Sequence, residues 1–64
     1  MRTRIKELRA RQSMTQEDLA KQVGARRETI LAIENGKYYP SVKLAHDIAK
    51  AIHTTIDEMF VFDE

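Results

Sequence analysis

An all-α domain of five short helices is the fold class that this sequence predicts, and three observations predict it. Three hydroxyl residues, Thr15, Ser41 and Thr55, stand where a side-chain oxygen can cap the start of a helix. The stretches that follow them repeat apolar residues at helical spacing. Two glycines, Gly24 and Gly36, fall where such stretches end, and glycine accepts the left-handed conformation that a sharp helix exit requires. With 64 residues the chain makes one domain, residues 1–64.

The first helix is expected from about Thr3 to Arg11, with Ile5 and Leu8 turned inward. The second runs from Gln16 to Val23. Thr15 caps it, Asp18 acts as a weaker form of the capping-box partner, and Leu19, Ala20 and Val23 form its apolar side. Gly24 then ends it, so the chain can turn at once into a third helix over about Arg26 to Asn35. Ala20 stands where the third helix must cross the second, and a larger side chain would hold the two axes apart. On a wheel of ~100° per residue, Ile30 and Ile33 face one way while Glu28, Leu31, Ala32 and Asn35 face the other. Gly36 stops the third helix and Tyr38, Tyr39 and Pro40 form a loop. Ser41 caps a fourth helix whose apolar side is Leu44, Ala45, Ile48, Ala49 and Ile52. Thr55 with Glu58 is a capping box for a short last helix through Ile56 and Met59 towards Phe60. The tail from Val61 to Glu64 is too short to assign, and a short extended segment is left open there.

Composition narrows the function classes. A chain of this size buries only ~60% of its unfolded surface, so its own core is marginal and self-association would add to it. There is no cysteine, hence no disulfide framework and no thiolate metal site, as fits a reducing cytoplasm. The start, MRTRIKELRARQ, is too charged for a signal peptide, and no apolar run approaches the ~18 residues that span a membrane. The expectation is a soluble cytoplasmic protein without a membrane partner. Net charge is only +1, but it is divided: residues 1–37 carry nine Lys or Arg against five Asp or Glu, and residues 38–64 carry two against five. A basic half that faces phosphate and an acidic half that faces away is a pattern suited to electrostatic steering.

Residues 4–60, from IKELRARQSMTQEDLAKQVG through ETILAIENGKYYPSVKLAHDIAKAI to TTIDEMF, resemble the helix-turn-helix regulators of the lambda-repressor and Cro type, the XRE-like group of prokaryotes and phages. The resemblance is carried by TQEDLA before the turn, IENGK after it and the helix that opens at Pro40-Ser41. It implies a sequence-specific transcriptional regulator of double-stranded DNA, most simply a repressor, associated with the nucleoid. It would act as a homodimer on a two-fold-related operator, with the helix-turn-helix motif at residues 16–35.

In that arrangement the N-terminal part of the third helix enters the major groove. Candidate base contacts are therefore Arg26, Arg27, Glu28, Leu31 and Ala32. Arg27 leads, because its guanidinium fork fits guanine O6 and N7, and Glu28 can accept from cytosine N4 or serve only the helix dipole. Leu31 and Ala32 offer apolar contact to thymine methyls, although Leu31 can instead fold onto Tyr38. Candidate phosphate contacts are Thr15, Gln16, Thr29, Asn35 and Lys37; these would position the protein without choosing sequence. Arg2, Arg4 and Lys6 add at most diffuse attraction. The resemblance also pairs Arg9 with Glu34 in a partly buried structural salt bridge. Met59, Phe60, Val61 and Phe62 form an apolar cluster, so residues 55–64 are the expected dimerisation element; the alternative is that Met59 and Phe60 close the monomer core and only Phe62 is exposed.

Three positions depart from the family pattern. Ser13 and His53 stand where glycine is usual, and Arg26 stands where a Ser or Thr often caps the third helix. Arg26 gives up that cap and puts a cation at the positive helix end, a local cost that phosphate contact would offset. His46 and His53 share a helical face, but two imidazoles without a third ligand make a poor metal site, so no metal is expected. Glu17 with Asp18 and Asp57 with Glu58 are sequence neighbours that do not face each other, and both pairs sit in first helical turns. With no glycine-rich phosphate loop and no nucleophile motif, the sequence predicts no enzyme, no cofactor and no small-molecule ligand. The rival reading is a protein-interaction module of the same fold, such as the antitoxin of a toxin-antitoxin pair.

Overall fold

In the computed structural model, which describes residues 1–62, the elements run β1 (Arg2–Thr3), α1 (Ile5–Arg11), α2 (Gln16–Val23), α3 (Arg27–Glu34), α4 (Val42–Ala51), α5 (Ile56–Met59) and β2 (Phe60–Val61). The fold is mostly helical, with one two-stranded sheet added to it.

The helix starts follow the capping residues. The Thr15 hydroxyl accepts from the Asp18 N–H at 3.0 Å and the Asp18 carboxylate accepts from the Thr15 N–H at 3.0 Å, a complete reciprocal box. Ser41 Oγ accepts from Leu44 N–H at 3.1 Å, and Thr55 Oγ1 accepts from Glu58 N–H at 3.2 Å. Gly24 takes the left-handed conformation at φ 71°, and the Ala25 N–H reaches back to the Ala20 carbonyl at 2.9 Å. Ser13 and His53 adopt the same left-handed region at φ 55° and 57°, where a Cβ is unfavourable.

The expected start of the first helix at Thr3 is corrected. Thr3 is extended, paired with Phe60 across an antiparallel ladder that also pairs Arg2 with Val61. The Arg4 N–H donates to the Met59 carbonyl at 2.8 Å, so the chain turns helical only from Ile5. A propensity for helix at residues 3 and 4 gives way to a backbone ladder with a segment more than fifty residues away.

One core joins the elements. Ile5, Leu19, Ile30, Ile33, Ile48, Ile52 and Met59 are all fully buried, and Ala20 and Ala49 let helices approach closely. Met59 and Phe60, expected at a dimer contact, belong to this core. The reason is local. Helix α5 is only four residues long and ends with Met59 turned inward, and the alternation of β2 then puts Phe60 inward and Val61 outward. Of the apolar cluster, Val61 and Phe62 remain exposed.

Candidate nucleic-acid interface

The turn at Gly24 sets α3 across α2, with Ile30 and Ile33 buried beneath it. Its opposite face is open. Arg26, Arg27 and Glu28 are exposed at its start, Leu31 is 39% exposed in the middle, and Ala32 and Thr29 are half-buried beside it. Asn35 and Lys37 are exposed at the far end, where the Asn35 N–H donates to the Leu31 carbonyl at 3.0 Å and the Lys37 N–H to the Ala32 carbonyl at 2.9 Å. Arg26 occupies the N-cap with extended geometry and makes no side-chain capping bond, so its guanidinium leaves the helix end unassisted. Among the described residues the side chains of Arg26, Arg27, Glu28, Asn35 and Lys37 make no hydrogen bond or ion pair with the rest of the chain. Arg4 and Arg11, by contrast, are both tied to Glu7, at 3.1 Å and 2.9 Å.

Arg27 is not isolated on its helix. It lines an open cleft with Arg9, Thr15, Gln16 and Glu17, between the end of α1, the first turn of α2 and the start of α3. Beneath that cleft lies a polar network. Arg9 Nε donates to Glu34 Oε2 at 3.0 Å, Arg9 Nη2 to Glu34 Oε1 at 3.4 Å, and Arg9 Nη1 to the Met14 carbonyl at 2.9 Å. Gln16 Nε2 donates to Glu34 Oε1 at 3.0 Å. The side chains of Arg9 and Glu34 are only 13% and 6% exposed. A carboxylate this deep is tolerable because a guanidinium fork and an amide satisfy it.

The structure thus brings together Thr15, Gln16 and Arg27 on one side of α3 and leaves Asn35 and Lys37 on the other. The bond from Gln16 to Glu34 was not foreseen. A signal for it exists in the sequence: Glu34 follows Ile30 and Ile33 on the buried side of α3, and an acid there needs more than one donor.

Comparison with known proteins agrees with this geometry. A family model described as helix-turn-helix matches residues 5–59. The chain belongs to the helix-turn-helix transcriptional regulators. A relative from Archaeoglobus fulgidus, described as an uncharacterized HTH-type transcriptional regulator, is 61% identical over 64 residues, covering all of this chain and 90% of its own length. A second from the same organism, similarly described, is 56% identical over all of this chain and 91% of its own length. Among solved structures, the restriction-modification controller protein C.AhdI from Aeromonas hydrophila superposes with a TM-score of 0.80 at 30% identity, covering 89% of this chain and 86% of its own. As a helix-turn-helix regulator the chain carries a DNA-binding domain and belongs to no enzyme family. No helix among the described residues is long and apolar enough to cross a membrane.

Proposed function

We propose that this regulator is a sequence-specific repressor that binds double-stranded DNA as a homodimer, with α3 in the major groove of a two-fold-related operator. The observation that carries the reading is the open outer face of α3, where Arg26, Arg27, Glu28 and Leu31 are presented over the buried Ile30 and Ile33. Arg27 reads a guanine, Glu28 excludes wrong bases, and Leu31 with Ala32 covers thymine methyls. Thr15, Gln16, Thr29, Asn35 and Lys37 contact phosphates on the two sides of the groove. Such a protein works in the cytoplasm, on the nucleoid, and needs no cofactor.

Dimerisation follows from the apolar surface that the monomer leaves uncovered. Phe62, from the exposed remainder of the tail cluster, lines an apolar groove with Tyr39, Ile56 and Val42, the last 81% exposed. A second copy seated there spaces two α3 helices for half-sites about one helical turn apart.

Selection of bound sequences from random duplex DNA tests the whole reading. A two-fold-related site is expected, with affinity falling steeply as salt rises, by a log-log slope of about −0.9 for each phosphate neutralised. Arg27→Ala should lose preference for that site and keep non-specific binding, whereas equal loss on all sequences makes Arg27 a phosphate contact only. Failure to enrich any site, with retention of the apolar groove, favours a protein-partner module of the antitoxin kind.

A further inference from the structure

The network beneath the cleft joins four parts of the chain through one carboxylate. Glu34, at the C-terminal end of α3, holds Arg9 of α1 through both oxygens and the Gln16 amide of α2 through Oε1. Arg9 in turn fixes the loop between α1 and α2 at the Met14 carbonyl. The ion pair with Arg9 balances the charge of Glu34, and Gln16 completes the hydrogen bonding of the acid with one of its two amide hydrogens, while the residue also borders the cleft shared with Thr15 and Arg27.

We propose that Glu34 is a positioning residue for DNA binding. It holds the Gln16 amide in one pose before DNA arrives, so that the amide's remaining hydrogen faces a phosphate oxygen. The proposal rests on the reading of Gln16 as a phosphate contact. Glutamine is a rotamer-rich side chain, and fixing it in advance removes an ordering cost that binding would otherwise carry, worth about two- to tenfold in affinity. Because Glu34 closes α3 and Gln16 opens α2, the same contact also sets how far the cleft between Gln16 and Arg27 opens.

The test is a double-mutant cycle read on DNA, using a random-sequence duplex of about 20 base pairs, since a phosphate contact does not depend on sequence. Glu34→Asp keeps the charge opposite Arg9 but withdraws the acceptor by one methylene. It is expected to weaken binding about two- to tenfold, as Gln16→Ala does, and the double variant is expected to bind no worse than Gln16→Ala alone. In the free protein, nitrogen relaxation of the Gln16 side-chain amide should report a rigid group in the parent and a mobile one in Glu34→Asp. Costs that multiply in the double variant, or an amide that stays rigid, overturn the proposal. If Gln16→Ala binds like the parent, the phosphate reading of Gln16 fails first and takes this role with it. Glu34→Gln keeps the acceptor and loses the charge. It should therefore lower stability while leaving the affinity of the folded protein within about twofold, and a loss of affinity in step with stability would show that Glu34 serves the fold alone.

Discussion

Residues 15–36 and the paired ends of the chain are held by different kinds of contact. In the first region almost every decision is local: Thr15 closes a box with Asp18 three residues on, Gly24 turns left-handed at the helix end, and the Ala25 N–H returns to Ala20. In the second, residues 1–4 and 59–62 are joined by long-range pairing, through the ladder of Arg2 with Val61 and Thr3 with Phe60 and the bond from Arg4 to Met59. The difference teaches where tolerance lies. A local device can be lost singly at a known cost, whereas a long-range closure fails as a unit.

The two glycines give the sharpest way to break this comparison. Both are left-handed, at φ 71° and 72°. A Cβ on Gly24 would meet open space, so Gly24→Ala should cost about 1–2 kcal/mol, the ordinary penalty for a side chain in that conformation. A Cβ on Gly36 would collide with the backbone carbonyl of Met1, which leads into β1. Gly36→Ala should therefore cost about 3 kcal/mol or more, adding overpacking to the same conformational penalty. Urea unfolding of the two variants reads the difference. Equal losses would mean that the N-terminal strand moves aside freely and does not close the fold.

The same contrast explains what the sequence made legible. The caps at Thr15, Ser41 and Thr55, the exit at Gly24 and the inward isoleucines Ile30 and Ile33 all depend on neighbours within a few residues, so spacing reveals them. The strand at Arg2–Thr3 has no local signature, and two residues are too few to show alternation. Whether Met59 and Phe60 face the core or a partner likewise depended on the length of α5 and the phase of β2, both set by that pairing. At the candidate interface, the face of α3 was readable from its wheel. The link from Gln16 to Glu34 was not, because it spans eighteen residues between two helices.

The exposed end of the second region carries the next prediction. Phe62 is 64% exposed and stacks only obliquely on Phe60, ring centroids 6.1 Å apart. Phe62→Ser should leave the stability of the monomer within about 0.5 kcal/mol, while shifting the self-association of the protein towards monomer in sedimentation at tens of micromolar. A variant that stays as associated as the parent removes this face from the proposed dimer and with it the proposed spacing of two α3 helices.

His53, outside both regions, shows a local device missing at the exit of α4. It sits at φ 57° just after α4, where its N–H donates to the Lys50 carbonyl at 3.3 Å and the Thr54 N–H donates to the Ala49 carbonyl at 2.9 Å. His53→Gly should relieve the left-handed strain, partly offset by the greater freedom of glycine in the unfolded chain, for a gain of up to about 1 kcal/mol. Thermal unfolding checks the sign, and a loss would mean that the imidazole makes a favourable contact that outweighs the strain.

The smallest effect belongs to the first region and concerns pH. The N–H of Thr15, and then its hydroxyl, hold the Asp18 carboxyl below its ordinary range, because both interactions favour the ionised form. A carboxyl lowered in the folded state adds stability at pH values above its unfolded titration and loses that stability as pH falls through the folded one. Glu7, lowered by the hydrogen bond from Arg4, and Asp47, lowered by that from Lys43, respond in the same direction, so the acid limb of the parent alone does not isolate Asp18. The difference between the parent and Asp18→Asn does. It should favour the parent at neutral pH and shrink as pH drops below the usual aspartate value of 3.8, because the protonated acid and the amide then cap alike. A difference that holds constant into acid would mean that the box acts through its shape and not its charge, and that the local device of the motif is insensitive to pH.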